Sequence, residues 1–326
     1  MMRIGITLGD PAGVGPELIL KLSRHFKEHF AYVIYGEEKT IIEAQKLTGI
    51  KLSYEKIEDV KEAKEGGVFL IDLNILKVPV PEPSVASGRA AVAYLARATA
   101  DALNGGIRGV LTMPINKFWA RKAGFNFPGQ TEYLAHASNT KDFSMMMYSE
   151  EIKVVLLTIH MPLKEVHKFV KKENIKNKVY LINREYKKLF KREPNVKVLG
   201  LNPHAGENGE FGREEIEEIK PAIEELKKEG LRVEGPLVPD TAFIERDYDD
   251  VFLAMYHDQG LIPFKLIAFN RGVNLTLGLP FVRTSPDHGT AYDIAWKNKA
   301  DEGASLEALR LMEKILSYEE GHNNLG

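Results

Sequence analysis

The sequence predicts an α/β protein with a largely parallel sheet, arranged as two lobes. Three observations carry this reading. Short apolar, β-branched runs recur along the chain, and amphipathic stretches of helical period separate many of them. Several runs are almost wholly apolar, as strands covered on both faces must be. A chain of 326 residues is also long enough to bury more than one core.

The expected strands, in order, are Arg3–Thr7, Ala31–Tyr35, Val68–Ile71, Gly109–Thr112, Val154–Thr158, Val196–Leu201 and Val251–Met255. Pro16–Phe30, Ala90–Leu103 and Arg213–Glu229 carry apolar residues at helical spacing and are the expected helices between them. Leu76–Ser87, rich in proline and valine, reads as an irregular connection. Lysines cluster from Lys171 to Lys191, but glutamates and apolar residues interrupt them at helical spacing, so the run reads as a solvated helix face. From Ser317 onward the tail is polar and is expected to fray.

Composition narrows the function. The formal net charge is -2, so no positive excess favours nucleic acid. The chain has no cysteine, which excludes disulfides, thiolate nucleophiles, iron–sulfur clusters and cysteine-based zinc sites. Any metal must therefore be held by His, Asp or Glu. The opening MMRIGITLGD reads as a strand entering a turn rather than a secretory leader, and no apolar run approaches the roughly 18 residues that span a bilayer. A cytoplasmic protein without nucleic-acid or membrane partners is expected.

In α/β sheets ligands collect beyond the carboxyl ends of strands. Four such exits carry unusual polar residues. Gly9-Asp10-Pro11-Ala12-Gly13-Val14-Gly15-Pro16 is glycine-rich and enters a helix. It can turn backbone N–H groups toward an anion or serve as a plain structural turn. The next three exits end in histidine: His160 after Val154–Thr158, His204 in a Pro-His-Ala-Gly turn, and His257 after Val251–Met255. Three imidazoles are a standard protein ligand set for a catalytic divalent metal, and Asp258 is adjacent to His257 and able to orient it. Lys265, Asn274 and Arg283, leading to His288, are suitable donors for a phosphate or carboxylate, or else surface residues of a long loop.

Taken together these motifs resemble the 4-hydroxythreonine-4-phosphate dehydrogenase family over essentially the whole chain. The matching segments are ITLGDPAGVGPE at the start, TMPINK from Thr112, GQTEYLA from Gly129, LTIHMPL around His160, LNPHAGE around His204, AMYHDQGL around His257 and NLTLGLPFVRTSPDHGTAYDIA from Asn274. The resemblance implies a two-lobed α/β/α sandwich of the isocitrate/isopropylmalate dehydrogenase type with its active site in the inter-lobe cleft. Residues 1–130 with 275–326 would form the first lobe, and 131–274 the second lobe and dimerisation region. It implies that His160, His204 and His257 bind a divalent metal, zinc first, with magnesium, cobalt or manganese as the others. It also implies a homodimer whose subunits share the sites, so the three ligands need not come from one chain. Substrate contacts would be Gln130, Thr131, Lys265, Asn274 and Arg283. Lys265, Asp240 and Asp258 would serve catalysis, the two aspartates by maintaining the site. Asp287, His288, Gly289, Thr290 and Asp293 look like the adenine-side loop of isocitrate and isopropylmalate dehydrogenases and would hold NAD or NADP.

The implied reaction is metal-assisted oxidation of a small phosphorylated amino acid followed by loss of carbon dioxide, in pyridoxal phosphate biosynthesis. One departure stands out: the family commonly has histidine where this chain has Gln130, and glutamine cannot titrate near neutral pH. Relatives of the family oxidise 4-phospho-threonate or phospho-erythronate, and some oxidise aromatic dihydrodiols; the cations Lys265 and Arg283 favour a phosphorylated substrate. A zinc hydrolase, also compatible with three histidines, would need no nicotinamide. A non-catalytic metabolite-binding protein would show ligand-induced stabilisation without turnover.

Overall fold

The structure is a computed structural model that describes residues 2–319 and 321. The chain begins β1 (Met2–Thr7), α1 (Gly15–Ser23), β2 (Phe30–Gly36), α2 (Glu38–Thr48), β3 (Glu55–Lys56), β4 (Val68–Asp72), α3 (Val85–Leu103), β5 (Gly109–Thr112), α4 (Lys117–Lys122) and α5 (Gln130–Ala137). It continues with β6 (Ser144–Tyr148), β7 (Lys153–Leu156), α6 (Leu163–Val166), α7 (Lys172–Phe190), β8 (Asn195–Leu199), α8 (Lys220–Lys228), β9 (Val233–Leu237), β10 (Asp250–Ala254), α9 (His257–Ala268) and β11 (Val273–Leu277). It ends with β12 (Val282–Pro286) and α10 (Gly303–Glu319). Two units divide it: residues up to 141 with those from 279 on, and residues 142–278.

In the first unit the strands run β3-β4-β2-β1-β5-β12, every pair parallel. β2 is buried along its whole length and β1 nearly so, which explains their unbroken apolar sequences. Helix α1 is buried too, and it carries an internal ion pair. Glu17 accepts from Lys21 at 3.1 Å and from the Ala300 amide at 2.8 Å, while Lys21 donates to the Ala300 carbonyl at 2.6 Å. Two charges can be buried there because each is paired and hydrogen-bonded.

In the second unit the order is β11-β6-β7-β10-β8-β9. β7, β10, β8 and β9 are parallel, and β6 runs antiparallel to both β7 and β11. Val154, Leu156, Leu199, Phe252 and Ala254 form one apolar cluster with Phe264 and Ala268 of α9. Full burial of the valine, leucine and phenylalanine side chains contributes roughly 1.5–3 kcal/mol each. It fixes α9, and therefore His257 at its start, against the central strands.

Several local expectations change. The helix expected over Pro16–Phe30 stops at Ser23; the chain turns, and Phe30 opens β2. The stretch after Lys265 is not one long loop, because Val273–Leu277 and Val282–Pro286 are strands. The connection from Leu76 gives way to α3 at Val85, where Ser84 and Ser87 exchange capping hydrogen bonds. Ser317 is not frayed; it lies buried inside α10, and its hydroxyl donates to the Glu313 carbonyl at 2.8 Å. The rest of the expected tail, residue 320 and residues 322–326, lies outside the described residues.

Candidate functional site

Three adjacent parallel strands of the second unit, β7, β10 and β8, leave the sheet on the same edge, and each exit carries a histidine. Strands in a sheet lie about 4.8 Å apart, so parallel register alone brings such exits near one another. Side chains tie them further. Thr158 donates to the Met255 carbonyl at 2.7 Å and so links the β7 exit to the β10 exit. Gln259, in the first turn of α9, accepts from the Met255 amide and donates to the Gly200 carbonyl, both at 2.7 Å, which links β10 to β8.

His160 and His257 face each other with ring centroids 5.7 Å apart. Asp258 Oδ1 lies 2.7 Å from His257 Nδ1, and Glu207 Oε2 lies 2.9 Å from His204 Nδ1. A carboxylate on Nδ1 fixes the tautomer and leaves Nε2 as the lone-pair donor, the arrangement that metal-ligating histidines use. The donor chemistry therefore fits a divalent ion. His204 is not brought into one cluster with the other two within a single chain: among the described residues no group of three or more His, Asp or Glu side chains is arranged to hold an ion. Its ring meets Phe211 edge-on at 6.1 Å instead.

The turn that carries His204 is unusual. Residues 204–208 all have positive φ, with His204 at 52°, Ala205 at 52°, Gly206 at 84°, Glu207 at 41° and Asn208 at 56°. Left-handed backbone costs an L-residue roughly 1–2 kcal/mol, and four of the five have side chains, so the turn persists only because its surroundings hold it.

Lys265 lies on α9 with its ammonium 5.8 Å from the Phe269 ring, and burial pulls its pKa below the usual lysine range. Asn274 on β11 donates to Met145 Sδ at 3.2 Å, while its buried Oδ1 has no hydrogen-bond partner. Asp240 stands exposed in the turn after β9, and no hydrogen bond joins it to the histidines.

In the first unit Arg283 is buried on β12. Its guanidinium donates to the Thr112 hydroxyl at 2.9 and 3.1 Å and to the Thr131 hydroxyl at 3.1 Å. Desolvation pulls its pKa down to about 10, and the Glu132 charge pushes the other way. Gln130 opens α5 and donates to the Met113 carbonyl at 3.2 Å; its buried Oε1 has no hydrogen-bond partner. Buried acceptors left open in this way are costly unless something else fills them.

Four amides of the glycine-rich exit are already bonded within the chain. The N–H groups of Asp10, Ala12, Gly13 and Val14 bond the Pro114 carbonyl, Asp10 Oδ1, the Asp10 carbonyl and the Thr290 carbonyl, at 2.9–3.0 Å. Tyr292 donates to buried Asp10 Oδ2 at 2.6 Å, and burial raises the Asp10 pKa. That exit is a brace for residues 287–293. Within this segment His288 Nδ1 lies 3.0 Å from the Gly289 carbonyl, and Gly289 faces open space. Sequence reasoning missed Gln259, Glu207, Glu215 and the Asp10–Tyr292 bond. The first two stood inside the quoted motifs, two or three residues from a histidine; the others act over distances that spacing does not show.

Fold and polar exits define an α/β protein of the kind that gathers ligands beyond the carboxyl ends of its strands. More particularly, the chain belongs to the PdxA family, the pyridoxal phosphate biosynthetic proteins, whose model matches residues 28–312. It is 74% identical to 4-hydroxythreonine-4-phosphate dehydrogenase of Aquifex aeolicus, covering 96% of this chain and 98% of that one. It is 39% identical to D-threonate 4-phosphate dehydrogenase of Pectobacterium atrosepticum, over 94% and 97% of the two chains. Among solved structures, 4-hydroxythreonine-4-phosphate dehydrogenase of Klebsiella pneumoniae superposes with a TM-score of 0.84 at 36% identity, covering 97% and 99%.

Proposed function

We propose that this protein oxidises 4-phosphooxy-L-threonine at its 3-hydroxyl with NAD or NADP and releases carbon dioxide, giving 3-amino-2-oxopropyl phosphate for pyridoxal phosphate biosynthesis. The observation that carries this reading is the 74% identity to the Aquifex enzyme over nearly the full length of both chains. The hydride and one proton leave the substrate's carbinol, and the resulting β-keto acid then loses its carboxylate. A divalent ion, zinc first, would supply Lewis acidity at the hydroxyl, and a nicotinamide the hydride acceptor. His160, His204 and His257 are the residues that would hold the ion, with Asp258 and Glu207 fixing two of the rings.

Lys265 is assigned as proton donor to the carbon that loses carbon dioxide; burial lowers its pKa, which eases proton release. Asp240 and Asp258 are assigned to maintaining the site. Arg283 and Thr131 would hold the phosphate, since a buried guanidinium preset by threonine hydroxyls needs little reordering to bind an anion. Gln130 and Asn274 each keep a buried carbonyl acceptor for a substrate N–H or O–H. Asp287, His288, Gly289, Thr290 and Asp293 would hold the dinucleotide.

We assign a homodimer with shared sites. Ile262, Leu266 and Phe269 of the α9 region are 59%, 83% and 71% exposed at i, i+4, i+7 spacing, an apolar stripe on the helix that begins with His257. The cytoplasm is the assigned location; no helix among the described residues is long and apolar enough to cross a membrane.

A second reading, oxidation of D-threonate 4-phosphate, has support from the Pectobacterium relative. Reduced-nicotinamide absorbance, followed with each phosphorylated substrate, either dinucleotide and one defined metal at a time, separates the two. Higher kcat/KM for the hydroxythreonine phosphate is the expected result; preference for the threonate would replace the reading.

A further inference from the structure

The metal reading leaves open what holds His204 in place, since its turn is locally unfavourable and its ring is exposed. Glu215 supplies the answer. Its carboxylate is buried at 1% exposure at the head of a π-helical turn, Glu215–Ile219. Oε1 accepts from the amides of Leu201 at 2.7 Å and Asn202 at 2.8 Å, and Oε2 accepts from Asn202 Nδ2 at 3.0 Å. Asn202 in turn closes the left-handed turn, because its carbonyl accepts the Ala205 amide at 3.1 Å.

The surrounding chain is cut back to admit this carboxylate. A Cβ on Gly206 would stand 2.7 Å from Oε2, and one on Gly200 would stand 3.2 Å from Oε1. Of the five residues in the turn, only Gly206 adopts a positive φ without strain, and it is also where an added Cβ would run into the Glu215 carboxylate. The carboxylate thus binds the two residues that lead into Pro203-His204, while Glu207 holds the ring at Nδ1.

We infer that Glu215 is the positioning residue for His204: it holds the left-handed turn from beneath so that the imidazole is presented to the cation. The inference rests on the metal reading above and adds a residue 11 positions away in sequence.

Titration of zinc into metal-free protein by calorimetry tests it. Cobalt(II) provides a second probe, through the visible bands that report its ligand geometry. Wild-type protein should bind either metal, and His204→Ala should weaken binding. Glu215→Leu removes every acceptor and should raise the dissociation constant by about 10–100-fold, as for other groups that orient metal ligands. Glu215→Gln keeps one oxygen for the two amides and should recover most of that loss. Circular dichroism monitors folding. Should the leucine variant not fold, Glu215→Asp, which withdraws the carboxylate by one methylene, should bind several-fold more weakly than wild type.

Wild-type metal affinity and an unchanged cobalt spectrum in a folded Glu215→Leu or Glu215→Asp protein, with His204→Ala impaired, would overturn the positioning role alone. Failure of wild-type protein to bind either metal would overturn the metal reading itself, and this inference with it.

Discussion

The strand exits of the two units are built in opposite ways. In the second unit, imidazoles stand partly or fully exposed at the ends of β7, β10 and β8, and carboxylates grip two of them at Nδ1. In the first unit the polar groups are sunk: Asp10 and Arg283 are buried, and four amides of the glycine-rich turn, those of Asp10, Ala12, Gly13 and Val14, are bonded within the chain. An exposed ring with its back held can bind something that arrives from outside the chain. A buried group bonded on several sides is preset instead: Asp10 braces the chain around it, and Arg283 is held in place before any anion reaches it. Polar residues at strand ends therefore do not share one role: hydrogen-bond accounting separates groups open to an incoming ion from groups already fixed by their neighbours.

That contrast can be broken at several points, the largest expected effect first. His257→Ala should lower kcat/KM by at least about a thousandfold, matching the several kcal/mol that a metal contributes, and exhaustive chelation of wild-type protein should do the same. A fully active chelated protein would remove the three histidines and their metal from the chemistry. Lys265→Met should lower kcat by about 10²–10⁴-fold, the usual range for a general acid. Because burial depresses its pKa, wild-type kcat should fall with rising pH before the ordinary lysine range is reached, and the variant should lose that limb.

Arg283→Lys tests the first unit. An ammonium cannot replace three fixed guanidinium contacts, so substrate KM should rise by about tenfold or more with a smaller change in kcat. Leu266→Glu sharpens the picture from outside: analytical ultracentrifugation should show a shift from dimer toward monomer, with activity lost in parallel. The smallest effect belongs to Tyr292→Phe. It should raise KM for the dinucleotide a few-fold and cost about 1–3 kcal/mol of stability near neutral pH, since it leaves a buried acceptor short of a donor. Asp10 has a raised pKa, so its share of stability is present at acid pH and is lost as pH rises through the folded value; removing a donor that lowers this pKa should enlarge that loss and carry it to higher pH, as denaturant titrations at two pH values would reveal.

The parallel core was legible because its strands are covered on both faces: Ala31–Tyr35 and Val251–Met255 are apolar without interruption, and both fall on strands. β6 was not, because Ser-Met-Met-Met-Tyr lacks β-branched residues and owes its place to two antiparallel neighbours. β11 and β12 were hidden for another reason. Asn274 and Arg283 stand within them, and polar side chains pointing into an interior look like loop residues in a sequence. The three histidine exits could be read from the chain because each follows an apolar run. The left-handed turn under His204 could not, since Glu215 holds it across more than a dozen residues and no local pattern encodes that reach.

The claim on which most depends is that one cation is held by imidazoles from two copies of the chain. Mixing two inactive proteins, His257→Ala and His204→Ala, under conditions that exchange subunits tests it directly. Each mixed dimer would hold one site with all three histidines intact and one with two missing, so a fully exchanged equal mixture should regain about a quarter of wild-type activity. If exchange is verified and activity stays at the level of the separate variants, the shared cation site is wrong.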